Sequence, residues 1–131
     1  MTDAQSDAVA ELAAQVREAL AAADLERFAD LLDPNVTWGA PGDAAPACRN
    51  RSQVLRWYAQ GRADGRRARV LDVTTHRDKI LVSMLVSDRD PADDDADAPR
   101  WQVLTVVDGR VADIRGYDDE ATARAAVYQR L

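Results

Sequence analysis

The residues of this chain that could move protons or attack a substrate are its carboxylates, one histidine and one cysteine. Two acids, Asp113 and Asp118, fall in the last apolar stretch. Side chains alternate along a strand, so Ala112, Ile114, Gly116 and Asp118 would share one face. A carboxylate there could serve as acid or base if a substrate came within hydrogen-bond reach. It could equally stand at a rim or cap the helix that follows. His76 lies beside Asp78 between two apolar runs. Histidine is the natural shuttle near neutral pH, but a turn position would leave it solvated. Cys48 comes two residues before an expected helix start, where the helix dipole could lower a thiol pKa. Its other reading is a small, semi-buried side chain.

One cysteine and one histidine exclude an internal disulfide, a multi-cysteine zinc site and any motif needing two histidines. No metal and no cofactor is expected. The charge is segregated along the chain. Asp88 to Pro99 carries six aspartates against Arg89 alone. It lacks the spacing and turn glycine of a calcium loop and reads as a solvated hairpin loop. Arg49 to Arg69 carries seven arginines against Asp64 alone. That run could hold an anionic ligand or partner, or simply form a solvated helix face. The net charge of −6 argues against nucleic acid as a partner. Hydrophobic residues are 47% and charged residues 31%, the balance of a globular chain rather than a disordered one. No apolar run approaches the ~18–20 residues of a membrane helix, and no signal peptide is visible, so a cytoplasmic location without membrane contact is expected. Of the 17 basic residues only Lys79 is not arginine. With the alanine excess, this suggests a high-GC bacterial genome.

At 131 residues the chain is expected to form one domain, residues 1–131. Val9, Leu12, Val16 and Leu20 recur at helical spacing and predict a helix over about residues 4–22. Asp24 is a good N-cap for a second helix carrying Leu25, Phe28, Leu31 and Leu32, which Asp33-Pro34 should stop. Val36–Trp38 reads as a short strand and residues 39–49 as a loop. Asn50 can cap a third helix, with Gln53 in capping-box position and Val54, Leu55, Trp57 and Tyr58 on its buried side. Gly61 or Gly65 should end it. The period then changes. Arg69–Thr75, Ile80–Ser87, Arg100–Val107 and Val111–Tyr117 are rich in Val, Ile, Leu and Thr and read as four strands. His76-Arg77-Asp78-Lys79 and Asp108-Gly109 are turns. Asp119 can start a last short helix through Ala125 and Tyr128. Helices followed by a strand meander give an α+β class, a curved antiparallel sheet with helices packed on one face.

Three local patterns carry a resemblance. They are Asp24-Leu25-Glu26 with Asp33-Pro34-Asn35-Val36-Thr37-Trp38; Asn50-Arg51-Ser52-Gln53-Val54 followed by Trp57-Tyr58-Ala59-Gln60-Gly61; and Asp108-Gly109-Arg110-Val111 with Ile114-Arg115-Gly116-Tyr117-Asp118. In order and spacing they resemble the nuclear transport factor 2-like superfamily, which includes ketosteroid isomerases, SnoaL-like polyketide cyclases and limonene epoxide hydrolases. The resemblance implies a cone-shaped α+β barrel: a curved sheet wrapped around three helices, a pocket inside, a short C-terminal helix, and a dimer through the outer sheet face. It does not carry over the best-known catalytic residues. The isomerase tyrosine of the first helix falls on Val16, the carboxylate base before a proline on Ala40, and the protonated aspartate on Gln102. The epoxide hydrolase carboxylate falls on Gly116, and its arginine–aspartate pair near Leu85 and Ser87.

The implied pocket would be lined by Val16, Leu20, Trp38, Tyr58, Leu85, Gln102, Leu104 and Ile114, with Asp118 as the acid–base candidate. Trp101 shares a face with Val103, Thr105 and Val107, opposite Gln102. That is an apolar row suited to a homodimer contact. Three functions are therefore expected to compete. The first is a small-molecule-binding protein with an apolar pocket. The second is a SnoaL-like cyclase, isomerase or hydrolase/dehydratase using Asp118, with Gln102 or Tyr58 as donor, on a polyketide- or terpenoid-like substrate. The third is a protein-interaction module.

Overall fold

The computed structural model describes residues 3–22, 24–39, 48–63, 65, 67–87 and 98–128. Within them the helical pattern of the N-terminal half becomes α1 (Asp3–Ala22), α2 (Leu25–Leu31) and α3 (Arg51–Ala63). Val9, Leu12, Ala13, Val16 and Ala19 are buried, the i, i+3, i+4 stripe that lays one face of α1 on the core. The Asp24 carboxylate accepts from the Arg27 backbone N–H at 3.1 Å and so caps α2. The helix ends at Leu31, before Asp33-Pro34. Asn50 caps α3 through the Gln53 N–H at 2.9 Å. Gln53 reaches back one residue further than a standard capping box, accepting from the Arg49 N–H at 2.7 Å.

Between α2 and α3 runs β1 (Leu32–Gly39), and β2 (Arg67–His76), β3 (Lys79–Ser87), β4 (Ala98–Val107) and β5 (Arg110–Tyr117) follow α3. The β4–β5 turn places Asp108 at φ 52° and Gly109 at φ 80°, the left-handed pair that an Asp-Gly hairpin provides. Strands β2 to β5 form the expected antiparallel meander. The sheet as a whole is open and mixed, because β1 joins it parallel to β5, giving the order β1-β5-β4-β3-β2. The α+β class, the helices set against a curved sheet and the short C-terminal helix are as expected; the parallel β1 makes the sheet mixed rather than wholly antiparallel. The acidic segment 88–97 and the position of Ala40 lie outside the described residues.

The two sheet faces are covered differently. Helices α1 to α3 pack on one, which we call inner, against Val36, Ile80, Val82, Met84, Leu104, Val111 and Ile114. Helix α4 (Glu120–Tyr128) packs on the outer face, setting Ala123 and Val127 over Leu81 and Val103, with Trp101 and Tyr117 alongside. The row expected to be bare is therefore partly roofed: Val103 is buried, and among these four only Val107 is well exposed. His76 also differs from its expected solvated turn. It ends β2, is half-buried, and its ring stands 4.6 Å from that of Tyr128. No described helix is long and apolar enough to cross a membrane.

Candidate functional site

Strand register decides which side chains can meet inside. Trp38, Ile114, Leu104 and Ile80 form one cross-strand row, and Gly116, Gln102 and Val82 form the next. Both rows face α1 to α3, since Ile80, Val82, Leu104 and Ile114 belong to the inner core. Gln102 is 7% exposed and is the one buried polar or charged side chain among the described residues. It meets Tyr58 of α3, whose hydroxyl donates to Gln102 Oε1 at 3.2 Å. That leaves the Gln102 amide hydrogens as donors toward anything placed beside it. Burial pushes the Tyr58 hydroxyl up to about 12, against a smaller opposing effect of the Gln102 hydrogen bond. Tyr58 is thus a neutral donor at ordinary pH. Beside this pair stands Gly116. A Cβ built there would meet nothing within 4 Å, so open space lies over the sheet next to Gln102.

An aromatic chain borders the same region. The Phe28 and Tyr58 rings meet edge-on at 5.4 Å, as do those of Tyr58 and Trp57. Trp57 in turn covers Trp38, with ring centroids 4.1 Å apart and planes 38° apart. The Trp38 backbone pairs with Cys48 through two N–H to O bonds of 3.0 Å. Its indole Nε1 is buried and has no hydrogen-bond partner. Arg51 Nη2 donates to the Leu32 carbonyl at 2.7 Å and ties the start of α3 to the start of β1. Cys48 is buried, and that burial raises its thiol pKa, opposite to the lowering considered for a helix start.

Of the residues expected to line a pocket, Val16, Leu20, Trp38, Tyr58, Gln102, Leu104 and Ile114 lie on or against the inner core. Leu85 does not. It pairs with Pro99 and Arg69 on the outer side of the register, as Leu81 does four residues earlier, while its neighbours Met84 and Val86 pack inward. Asp118 is also displaced. Strand β5 ends at Tyr117, so alternation no longer applies, and Asp118 is an exposed bend residue. Its neighbour Asp119 takes the capping role, accepting from the Thr122 N–H at 2.8 Å and its hydroxyl at 2.7 Å. The other strand acid, Asp113, faces outward. It accepts from Thr37 Oγ1 at 2.5 Å and from Arg115 Nε at 3.1 Å. Phe28, Trp57 and Gly116, which border the same region, are not among the residues expected to line a pocket. The aromatics read as core packing, and an open glycine has no local signature. Among the described residues no three His, Cys, Asp or Glu side chains gather as a metal ion would require.

The SnoaL-like domain model matches residues 13–114, well over half of the chain. The chain belongs to the SnoaL-like domain family. Solved structures share the architecture of this SnoaL-like domain at low identity. Bal32a, from a soil-derived mobile gene cassette, is 20% identical, with a TM-score of 0.71 over 95% of this chain and 99% of its own. A Kribbella flavida protein described as a ketosteroid isomerase is 22% identical, with a TM-score of 0.69 over 95% and 90%. TerC, co-crystallised with polyporic acid, is 14% identical, with a TM-score of 0.67 over 94% and 99%. At such identities the likeness is one of fold, and one fold hosts many chemistries. Comparison with curated proteins finds no significant match.

Proposed function

We propose that this SnoaL-like domain binds a small, mostly apolar molecule between the inner sheet face and α1 to α3, and that its recognition is by hydrogen bonding rather than acid–base chemistry. The observation that carries this reading is the open space over Gly116 beside Gln102. The surroundings are apolar, from Val16 of α1 to Leu104 and Ile114 of the sheet. One fixed polar group amid apolar walls is the usual composition of a ligand site. Tyr58 holds the Gln102 amide so that its hydrogens are offered to an acceptor such as a carbonyl oxygen. Proton transfer is not supported by the lining, because the described carboxylates nearest in sequence, Asp113 and Asp118, face outward or into solvent. TerC, of the same fold, was crystallised with an organic acid, a precedent for organic ligands on this architecture.

Native mass spectrometry of the protein as purified should show added mass from a retained small molecule. Calorimetric titration with anthraquinone-2-sulfonate, a flat ketone, should show saturable binding that Gln102→Leu weakens. Bare protein together with no saturable binding would overturn the reading. Turnover of a polyketide-like ketone that survives in Gln102→Leu but is lost in Asp118→Asn would replace it with the enzymatic one.

A further inference from the structure

Along the inner face of β4 the side chains change character in order. Alternation puts Arg100, Gln102 and Leu104 on one face, and the register agrees: Arg100 pairs with Met84 and Gln102 with Val82, both of the inner core. Burial follows the same line. Arg100 is exposed, Gln102 is buried and Leu104 is fully buried. The neighbouring strands repeat the gradient. On β3, Val86 is half-buried while Met84 and Val82 are buried; on β5, Gly116 is half-buried and Ile114 buried. The space over Gly116 thus lies between a solvated end, at Arg100, and a closed end, at Leu104 and Ile114. Among the described residues, Arg100 is the one charged residue at an inner-face register position of β2 to β5. Its Nη1 donates to the Pro99 carbonyl at 3.1 Å, and it joins none of the ion pairs among the described residues. Most of the five donors of its guanidinium remain for another partner. Two residues of strand, about 7 Å, separate it from Gln102.

We propose that Arg100 reads the charge of the ligand, and that the ligand is a flat organic acid. Its apolar end lies toward Leu104 and Ile114, a carbonyl oxygen takes the Gln102 amide, and an anionic group projecting outward takes Arg100. This rests on the binding reading above and deepens it by naming the ligand class. The order of groups along β4, cationic then polar then apolar, is the order such a molecule would present. Because Arg100 stands at the exposed rim, neither charge has to be stripped of water to pair, so the contact selects for an anion at little desolvation cost. With a net charge of −6 the chain as a whole repels anions, so a preference for one must come from a local cation.

The probes are anthraquinone-2-sulfonate and anthraquinone-2-sulfonamide, which share ring shape and carbonyls and differ in charge. At neutral pH and low salt the wild type should bind the sulfonate about 3- to 10-fold more tightly, the scale of one charge-assisted contact at an exposed site. That preference should shrink in about 0.5 M salt, where exposed charges are screened. Arg100→Gln keeps a polar side chain and removes the charge. It should bind both probes alike, with the affinity for the sulfonamide unchanged. Arg69→Gln removes the same charge from the outer face, where Arg69 pairs with Leu85, and should keep the preference. Equal binding of both probes by the wild type, a preference that survives in Arg100→Gln, or one lost in Arg69→Gln as well would each overturn the proposal while leaving the binding reading standing. Failure of the wild type to bind either probe would overturn both.

Discussion

Tyr58 links the candidate site to a measurable pH dependence. Its hydroxyl titrates at about 12 in the folded chain, mainly because burial disfavours the phenolate. The unfolded value is near 10. The folded value is the higher one, so Tyr58's contribution is complete below about pH 10 and is lost as pH rises toward 12. Urea midpoints at pH 9 and pH 11 should therefore fall further for the wild type than for Tyr58→Phe, and equal falls would contradict the assignment. Asp118 and Asp119 show how much one position decides. The Thr122 hydroxyl, then its N–H, holds the Asp119 carboxyl below the usual carboxylate range. Its contribution is present above about pH 4 and fades as pH falls through the lowered folded value. Asp119→Ala should speed amide exchange in α4 at neutral pH, with the difference from wild type shrinking in acid. Asp118→Asn should change neither α4 exchange nor ligand binding. The sequence alone did not separate the two aspartates. Alternation carries Asp118 inward only if the strand runs one residue past Tyr117.

Elements were legible where a period was strong and local. The heptad-like stripe of α1, the caps at Asp24, Asn50 and Asp119, and the Asp-Gly hairpin are all readable from a few adjacent residues, and each stands where expected. The pairing of β1 with β5 was not legible, since nothing near Leu32–Gly39 signals a partner near Arg110–Tyr117. The face of β3 was hidden for a different reason. Ile80-Leu81-Val82 is apolar on both sides because helices cover both sides, so the strand has lost its alternation. Leu85, named as a pocket residue through the resemblance, therefore had no alternation in its own strand to correct it. The same two-sided burial gives a stability contrast. Leu81, 2% exposed beneath α4, should cost about 2–4 kcal/mol when cut to alanine. Leu85→Ala, on the same face but outside that contact, should cost less than half as much by chemical denaturation. Equal costs would mean that α4 does not hold the outer face.

For the molecule as a whole, filling the space over Gly116 should separate binding from stability. Gly116 has no positive φ and open space above it, so Gly116→Leu can be accommodated. Its side chain would occupy the space assigned to the ligand. The melting temperature should stay level or rise while binding of anthraquinone-2-sulfonate disappears; unchanged binding would place the ligand elsewhere. The sheet order carries one more consequence, for the chain as it is synthesised. In the sheet, β1 lies at one edge and has β5 as its strand neighbour, yet the two are separated by α3 and the whole β2–β4 meander. Until the last strand leaves the ribosome, β1 and the aromatic corner it carries have no sheet to join. Contacts so distant in sequence are slow to form. A nascent chain stalled before Arg110 should therefore stay protease-sensitive throughout its N-terminal half, and release of the final hairpin should protect both ends together.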